Sequence, residues 1–116
     1  MNAVNGSAVE DAGSALKRRC AITISADHPA FAGHFPGRPI VPGVVLLDEA
    51  ARAIAAAMAL EPATLWRVDR VKFLLPALPG DLLTLEWEPT AAGQFSFAIE
   101  CAGKPVAKGT LHHAPP

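Results

Sequence analysis

Apolar and polar residues alternate singly over residues 18–25, where Cys20, Ile22 and Ile24 are separated by Arg19, Ala21, Thr23 and Ser25. A period of two predicts a strand with one buried face. Asp27-His28-Pro29 closes it, and residues 29–33 form a short connector. The pattern then changes. From Val44 to about Leu60 the chain reads VVLLDEAARAIAAAMAL, with no Gly or Pro and many Ala and Leu. That composition predicts a helix, which Pro62 closes. It is apolar around almost its whole circumference, so protein should surround it on most sides. Its many alanines would let a neighbouring element come close to the backbone.

After Pro62 the chain reads as strand and turn. Residues 64–75 form a long run in which Val68, Val71, Phe73 and Leu75 are interrupted by Arg67, Asp69, Arg70 and Lys72. Pro79-Gly80-Asp81 is a strong turn signal. Leu83, Leu85 and Trp87 then alternate with Thr84, Glu86 and Glu88. Ala92-Gly93 turns the chain into Phe95, Phe97, Ile99 and Cys101, and Ala102-Gly103 turns it again into residues 105–113. Three strands joined by short turns predict an antiparallel meander. One early helix followed by late strands indicates α+β with an antiparallel sheet.

A chain of 116 residues supports one domain, and 51% apolar with 18% charged residues is a composition that packs a core. The first sixteen residues are small, polar and without period, and are expected to form a flexible arm, with a single domain over 17–116. They lack the basic and apolar regions of a secretory signal. Asp48, Glu49 and Arg52 inside the longest apolar stretch argue against a membrane span. A net charge of −1 gives no reason to expect nucleic acid as a partner. Cys20 and Cys101 lack metal-ligand spacing and sit in apolar runs, as buried free thiols do. The expected setting is the cytoplasm. No metal or cofactor is expected; His112 and His113, adjacent on a strand, point to opposite faces.

The richest stretch chemically is HFPGRPIVPGVVLLD, residues 34–48. Pro36, Pro39 and Pro42 keep residues 35–42 out of helical geometry, so the helix starts at or just after Gly43. Its first amides have no intrahelical acceptor and carry partial positive charge. His34 is the one residue in the loop able to act as a base near neutral pH. Asp48 is the first helix carboxylate. Base, acid and bare amides suit proton abstraction beside a carbonyl. Considered singly, each residue has a blander reading. His34 can be a hydrogen-bonded structural residue, and Asp48 can complement the helix dipole or pair with Arg52 at i+4.

At His34, Phe35, Gly37, Pro39, Pro42, Gly43 and Asp48 the chain resembles the hot-dog-fold 3-hydroxyacyl-(acyl carrier protein) dehydratases, whose signature places an acidic residue fourteen positions after the His. The resemblance runs over residues 18–113 and includes VKFLLPALPGDLLTLEWE, where a strand with basic residues precedes a Pro-Gly-Asp turn. Its shortness makes it similar to the compact dehydratases of aryl-polyene and related pathways. Asp at the acidic place resembles the branch in which some members also isomerise the double bond.

This resemblance implies a hot-dog fold, an antiparallel sheet wrapped around one central helix. It also implies dehydration of a 3-hydroxyacyl thioester to the trans-2-enoyl thioester in fatty-acid or polyketide-type synthesis, without a cofactor. His34 would be the base and Asp48 the acid, with the Gly43 amide, and that of Val44 beside it, on the thioester oxygen. In the family the His of one subunit meets the acidic residue of the other, which implies a homodimer or a heterodimer with a paralogue. An acidic acyl carrier protein could be received by Arg38, Arg67, Arg70 and Lys72, each of which could equally be an ordinary solvated charge. Two rivals are a hot-dog acyl thioesterase and an inactive acyl-binding partner subunit of a dehydratase. The intact His34 and Asp48 favour dehydration.

Overall fold

A computed structural model describes residues 10–11, 16–28, 40–60 and 65–114. Its elements in chain order are β1 (Glu10–Asp11), β2 (Arg18–Ile22), α1 (Gly43–Ala57), β3 (Leu65–Phe73), β4 (Leu83–Ala91), β5 (Gln94–Cys101) and β6 (Lys104–Ala114). The six strands form one sheet in the order β1-β2-β4-β5-β6-β3, antiparallel at every pairing. One helix against such a sheet is the expected α+β hot-dog arrangement, and β4-β5-β6 is the expected meander. Part of the segment read as an arm pairs with β2, at Glu10↔Arg19 and Asp11↔Arg18.

Register carries the alternating apolar positions onto one face. Cys20 pairs with Leu85, Leu85 with Ile99, Ile99 with Ala107 and Ala107 with Phe73, a row that crosses five strands. All of these except Phe73 are buried. The helix lays Val45, Leu46, Ala50, Ala51, Ile54 and Ala55 on this side. Ile54 and Ala50 retain 0% of their surface. Fully burying an aliphatic side chain of the size of Ile or Leu is worth about 1.5–3 kcal/mol, so this face supplies much of the fold's stability. The helix is bare along one stripe only. Val44, Asp48, Arg52 and Ala56, four residues apart, are exposed, and its other positions are buried or half-buried, in keeping with the protein contact expected on most sides.

Element ends differ from the sequence pattern for local reasons. The apolar run continues to Leu60, but the helix stops at Ala57 with Met58 as its cap. Ala59 adopts φ 56, and Leu60 N–H donates to Ala55 O at 2.9 Å. This is the left-handed cap that usually takes Gly, here built on Ala. β2 ends at Ile22, short of Ser25, and β4 continues through Pro89 to Ala91. Proline is tolerated there because the β2 pairing ends at Arg18↔Trp87, leaving that side of β4 an edge.

The turns match their residues. Asp81 N–H donates to Leu78 O at 3.0 Å across Pro79-Gly80, with Gly80 at φ 87, a type II turn. Asp81 Oδ2 accepts from Leu78 N–H at 2.9 Å. Ala102 and Gly103 both have positive φ between the paired Cys101 and Lys104, the geometry of a two-residue hairpin.

On β3 the register slips between Asp69↔Thr110 and Lys72↔Lys108. Arg70 and Val71 thus stand opposite Gly109 alone, a bulge with Arg70 at φ 54. Gly109 is what lets the strands close there. A Cβ on it would stand 2.7 Å from Val71 Cγ2 and 2.9 Å from Val71 Cα, and the backbone atom cannot swing away. Gly109→Ala should therefore lower unfolding free energy by about 1–3 kcal/mol in urea titrations. Ala59→Gly should raise it by about 0.5–1 kcal/mol by relieving the left-handed alanine. Equal midpoints for wild type and Gly109→Ala would remove the close-approach explanation.

Candidate active site

The helix start is built by proline and glycine. Pro42 is the N-cap, in extended geometry and with no side chain able to cap. Its carbonyl accepts from Val45 N–H at 3.0 Å and from Leu46 N–H at 3.3 Å. The amides of Gly43 and Val44 have no acceptor among the described residues. They are the orphan donors every helix start presents, and here the partial positive charge of the helix end adds to them. Val41 N–H on Ala77 O, 2.8 Å, holds the approach to the helix against the β3–β4 connection.

Phe73 completes this corner. A Cβ on Gly43 would meet the ring at 2.5 Å from Cζ, so the end of β3 and the start of α1 touch through a glycine. Phe73 and Val44 remain largely exposed, Val44 at 72%. Ile40, Leu74 and Leu75 are exposed too, an apolar surface beside two unpaired amides.

Asp48 lies one turn further along the exposed stripe. Its Oδ2 accepts from Arg52 Nε–H at 2.8 Å, an i,i+4 ion pair. The pairing weighed as the bland reading of Asp48 is therefore realised. It pushes the Arg52 guanidinium further above its ordinary value, first through the hydrogen bond and then through the carboxylate charge. Asp48 Oδ1 has no partner among the described residues. The structure thus brings Gly43, Val44 and Asp48 onto one end and one face of α1. His34, Phe35, Gly37, Arg38 and Pro39 lie outside the described residues.

The three basic residues of β3 are exposed, on the strand at the free edge of the sheet. Arg67 Nη2 is 3.4 Å from His112 Nδ1, whose other nitrogen is 3.9 Å from Asp69 Oδ2. Lys72 stands opposite Lys108, a like-charge pair that costs stability. Sequence reasoning missed Lys108 and the part played by Phe73. Neither carries a local signal, because both depend on the β3 bulge and the β3–β6 register. His112 and His113 do fall on opposite faces, His113 against Trp66 with ring centroids 5.2 Å apart. Cys20 and Cys101 are free thiols, and burial pushes the Cys20 thiol above its ordinary range. Among the described residues no helix is long and apolar enough to cross a membrane.

Comparison with known proteins places this chain in a family. The family model described as ApeI-like, ApeI dehydratase, matches residues 10–110. The 3-hydroxyacyl-[acyl-carrier-protein] dehydratase FabZ of Symbiobacterium thermophilum is 42% identical over 74 residues, which span 59% of this chain and 52% of that protein. FabZ of Klebsiella pneumoniae is 34% identical over 105 residues, 80% of this chain and 70% of that one. Among solved structures, the dehydratase heterocomplex ApeI:P from Xenorhabdus doucetiae aligns with a TM-score of 0.69 at 22% identity, covering 89% of this chain and 91% of that one. With the hot-dog arrangement of sheet and helix, these matches show that the chain belongs to the ApeI-like dehydratase family.

Proposed function

We propose that the protein dehydrates a 3-hydroxyacyl thioester, carried on acyl carrier protein, to the trans-2-enoyl thioester, in a cytoplasmic fatty-acid or polyketide-type synthesis. The observation that carries this reading is the pair of amides at Gly43 and Val44, without acceptors among the described residues, one turn from Asp48 on the exposed stripe of the same helix. His34, fourteen residues before Asp48 in the family's signature, takes the C2 proton. The Gly43 amide, joined by that of Val44, donates to the thioester oxygen as enolate character develops. Donors of this kind are commonly worth about 3–4 kcal/mol of barrier. Asp48 orients or protonates the C3 hydroxyl, which leaves as water. No step calls for a metal or redox cofactor.

The site is completed by a second hot-dog chain, so that His34 of one chain meets Asp48 of the other. The free edge of β3 supports this. Its residues Leu65, Val68 and Phe73 are exposed, Leu65 at 76%, and an uncovered apolar edge strand invites another strand. The second chain is a copy or a paralogue. Arg67, Arg70 and Lys72, with Arg38, receive the acidic carrier protein.

Incubation with a 3-hydroxyacyl carrier-protein thioester should yield enoyl product. Free acid instead would make the protein a thioesterase, and no turnover a silent acyl-binding subunit. His34→Ala and Asp48→Asn should each lower kcat by at least ~100-fold, the usual scale of general acid–base catalysis, with unchanged circular dichroism. A near-normal rate in either variant removes that residue from the mechanism.

Leu65→Glu with Val68→Glu should convert the assembly to monomers in analytical ultracentrifugation and abolish turnover together. Persistence of the assembly with both glutamates present would place the interface elsewhere.

A further inference from the structure

The backbone at Gly43 does not itself require glycine. The residue opens α1 and has no positive φ, unlike Gly80, Gly93 and Gly103, so alanine fits that conformation and would favour the helix. What opposes alanine is one ring. A Cβ there would stand 2.5 Å from Phe73 Cζ, 2.8 Å from Cε1 and 3.0 Å from Cε2, so the tip of the ring rests where the methyl would be. That ring is not part of the core. Phe73 is 53% exposed, whereas an aromatic side chain that serves only to pack is usually buried. Its backbone is nevertheless tied down. Phe73 pairs with Ala107, and the next amide, Leu74 N–H, donates to Val106 O at 2.8 Å.

Among the described residues no acceptor holds the Gly43 amide. With no Cβ either, the peptide that carries it is free to rock about the start of the helix. An oxyanion donor is effective when its direction is fixed before charge develops. We propose that Phe73 is a positioning residue, whose ring, seated on Gly43, fixes the direction of the Gly43 N–H and keeps water off that side of it. This rests on the dehydration reading above. The ring turns its tip to the glycine, and the edge of an aromatic ring is partially positive, so it does not oppose negative charge growing on the thioester oxygen. Excluding water there strengthens the hydrogen bond to that oxygen. An aliphatic side chain of similar reach would exclude water without the same flat, stiff tip, which predicts a graded result with Phe best, Leu partial and Ala poor. The ordinary reading is an apolar side chain that only awaits a second chain at the β3 edge, and the state of assembly separates the two.

The test compares wild type with Phe73→Ala, Phe73→Leu, Gly43→Ala and the double variant Gly43→Ala with Phe73→Ala, all as full chains. Enoyl product and free acid are followed from one 3-hydroxyacyl thioester. Phe73→Ala should lose at least ~10-fold in kcat with KM within about twofold, as a loss felt in the transition state does. Phe73→Leu should recover part of it. Gly43→Ala alone should lose a similar factor, because its methyl displaces the ring. In the double variant the methyl takes the space the ring has left, so kcat should stand at least ~5-fold above either single variant, a coupling expected only of groups in contact. A Phe73→Ala kcat within about twofold of wild type, a loss confined to KM, or single losses that multiply in the double variant overturns the proposal. So does a Phe73→Ala protein that sediments as a monomer where wild type assembles, which would make the ring an interface contact. If wild type releases free acid only, the dehydration reading falls while the same comparison of rates still decides the role of Phe73, because hydrolysis also builds charge on the thioester oxygen. If wild type forms neither product, both fall.

Discussion

The site depends on α1 being packed against the sheet on one side and bare along one stripe. Ala50 and Ile54, with none of their surface exposed, share one buried core with the row that runs from Cys20 through Leu85 and Ile99 to Ala107. That contact fixes the rotation of the helix about its own axis. Once the rotation is set, side chains at 44, 48, 52 and 56 have to face outward, because they lie four residues apart on the opposite side. A small rotation would bury Asp48 against leucine and isoleucine, where an ionised carboxylate is costly. Packing energy thus decides the placement of the one acid proposed for the chemistry.

The same contact holds the helix start open. A helix can satisfy its first amides with a Ser, Thr, Asp or Asn cap, and the chain puts Pro42 there instead. Proline has no donor and no polar side chain to turn back on the helix, so the Gly43 and Val44 amides stay available. Phe73 then closes over Gly43 from the end of β3. A residue larger than glycine would push that ring away and shift the corner where sheet, helix and unpaired amides meet.

The free edge of β3 relates the fold to the proposed assembly. Exposed apolar residues at 65, 68 and 73 alternate with charges at 67, 69, 70 and 72. The bulge at Arg70 and Val71 breaks the flatness of the edge, and its charges discourage indiscriminate pairing. An edge of this kind is selective. It tolerates water on a single chain and favours a partner with matching charge and shape. The proposed roles of Arg67, Arg70 and Lys72 sit on this strand beside Phe73, so the proposed carrier recognition and the proposed pairing share one structural element with the contact at the helix start.

Much of this was present in the order of residues. Alternation at 20–24, 83–87 and 95–101 set which strands bury which faces, because a strand has a period of two whatever surrounds it. The Pro-Gly frame of residues 36–43 dictated where the helix could start, and the spacing of His34 and Asp48 pointed to the chemistry proposed here. Local turn residues marked the hairpins. Other features needed the whole molecule. The helix ends at Ala57 because its cap forms around Ala59, a choice between left-handed cap and continued helix that composition does not reveal. The opposition of Lys72 and Lys108 and the approach of Phe73 to Gly43 are set by register and bulge. Those quantities are fixed by contacts between residues far apart in the chain, so no local pattern records them.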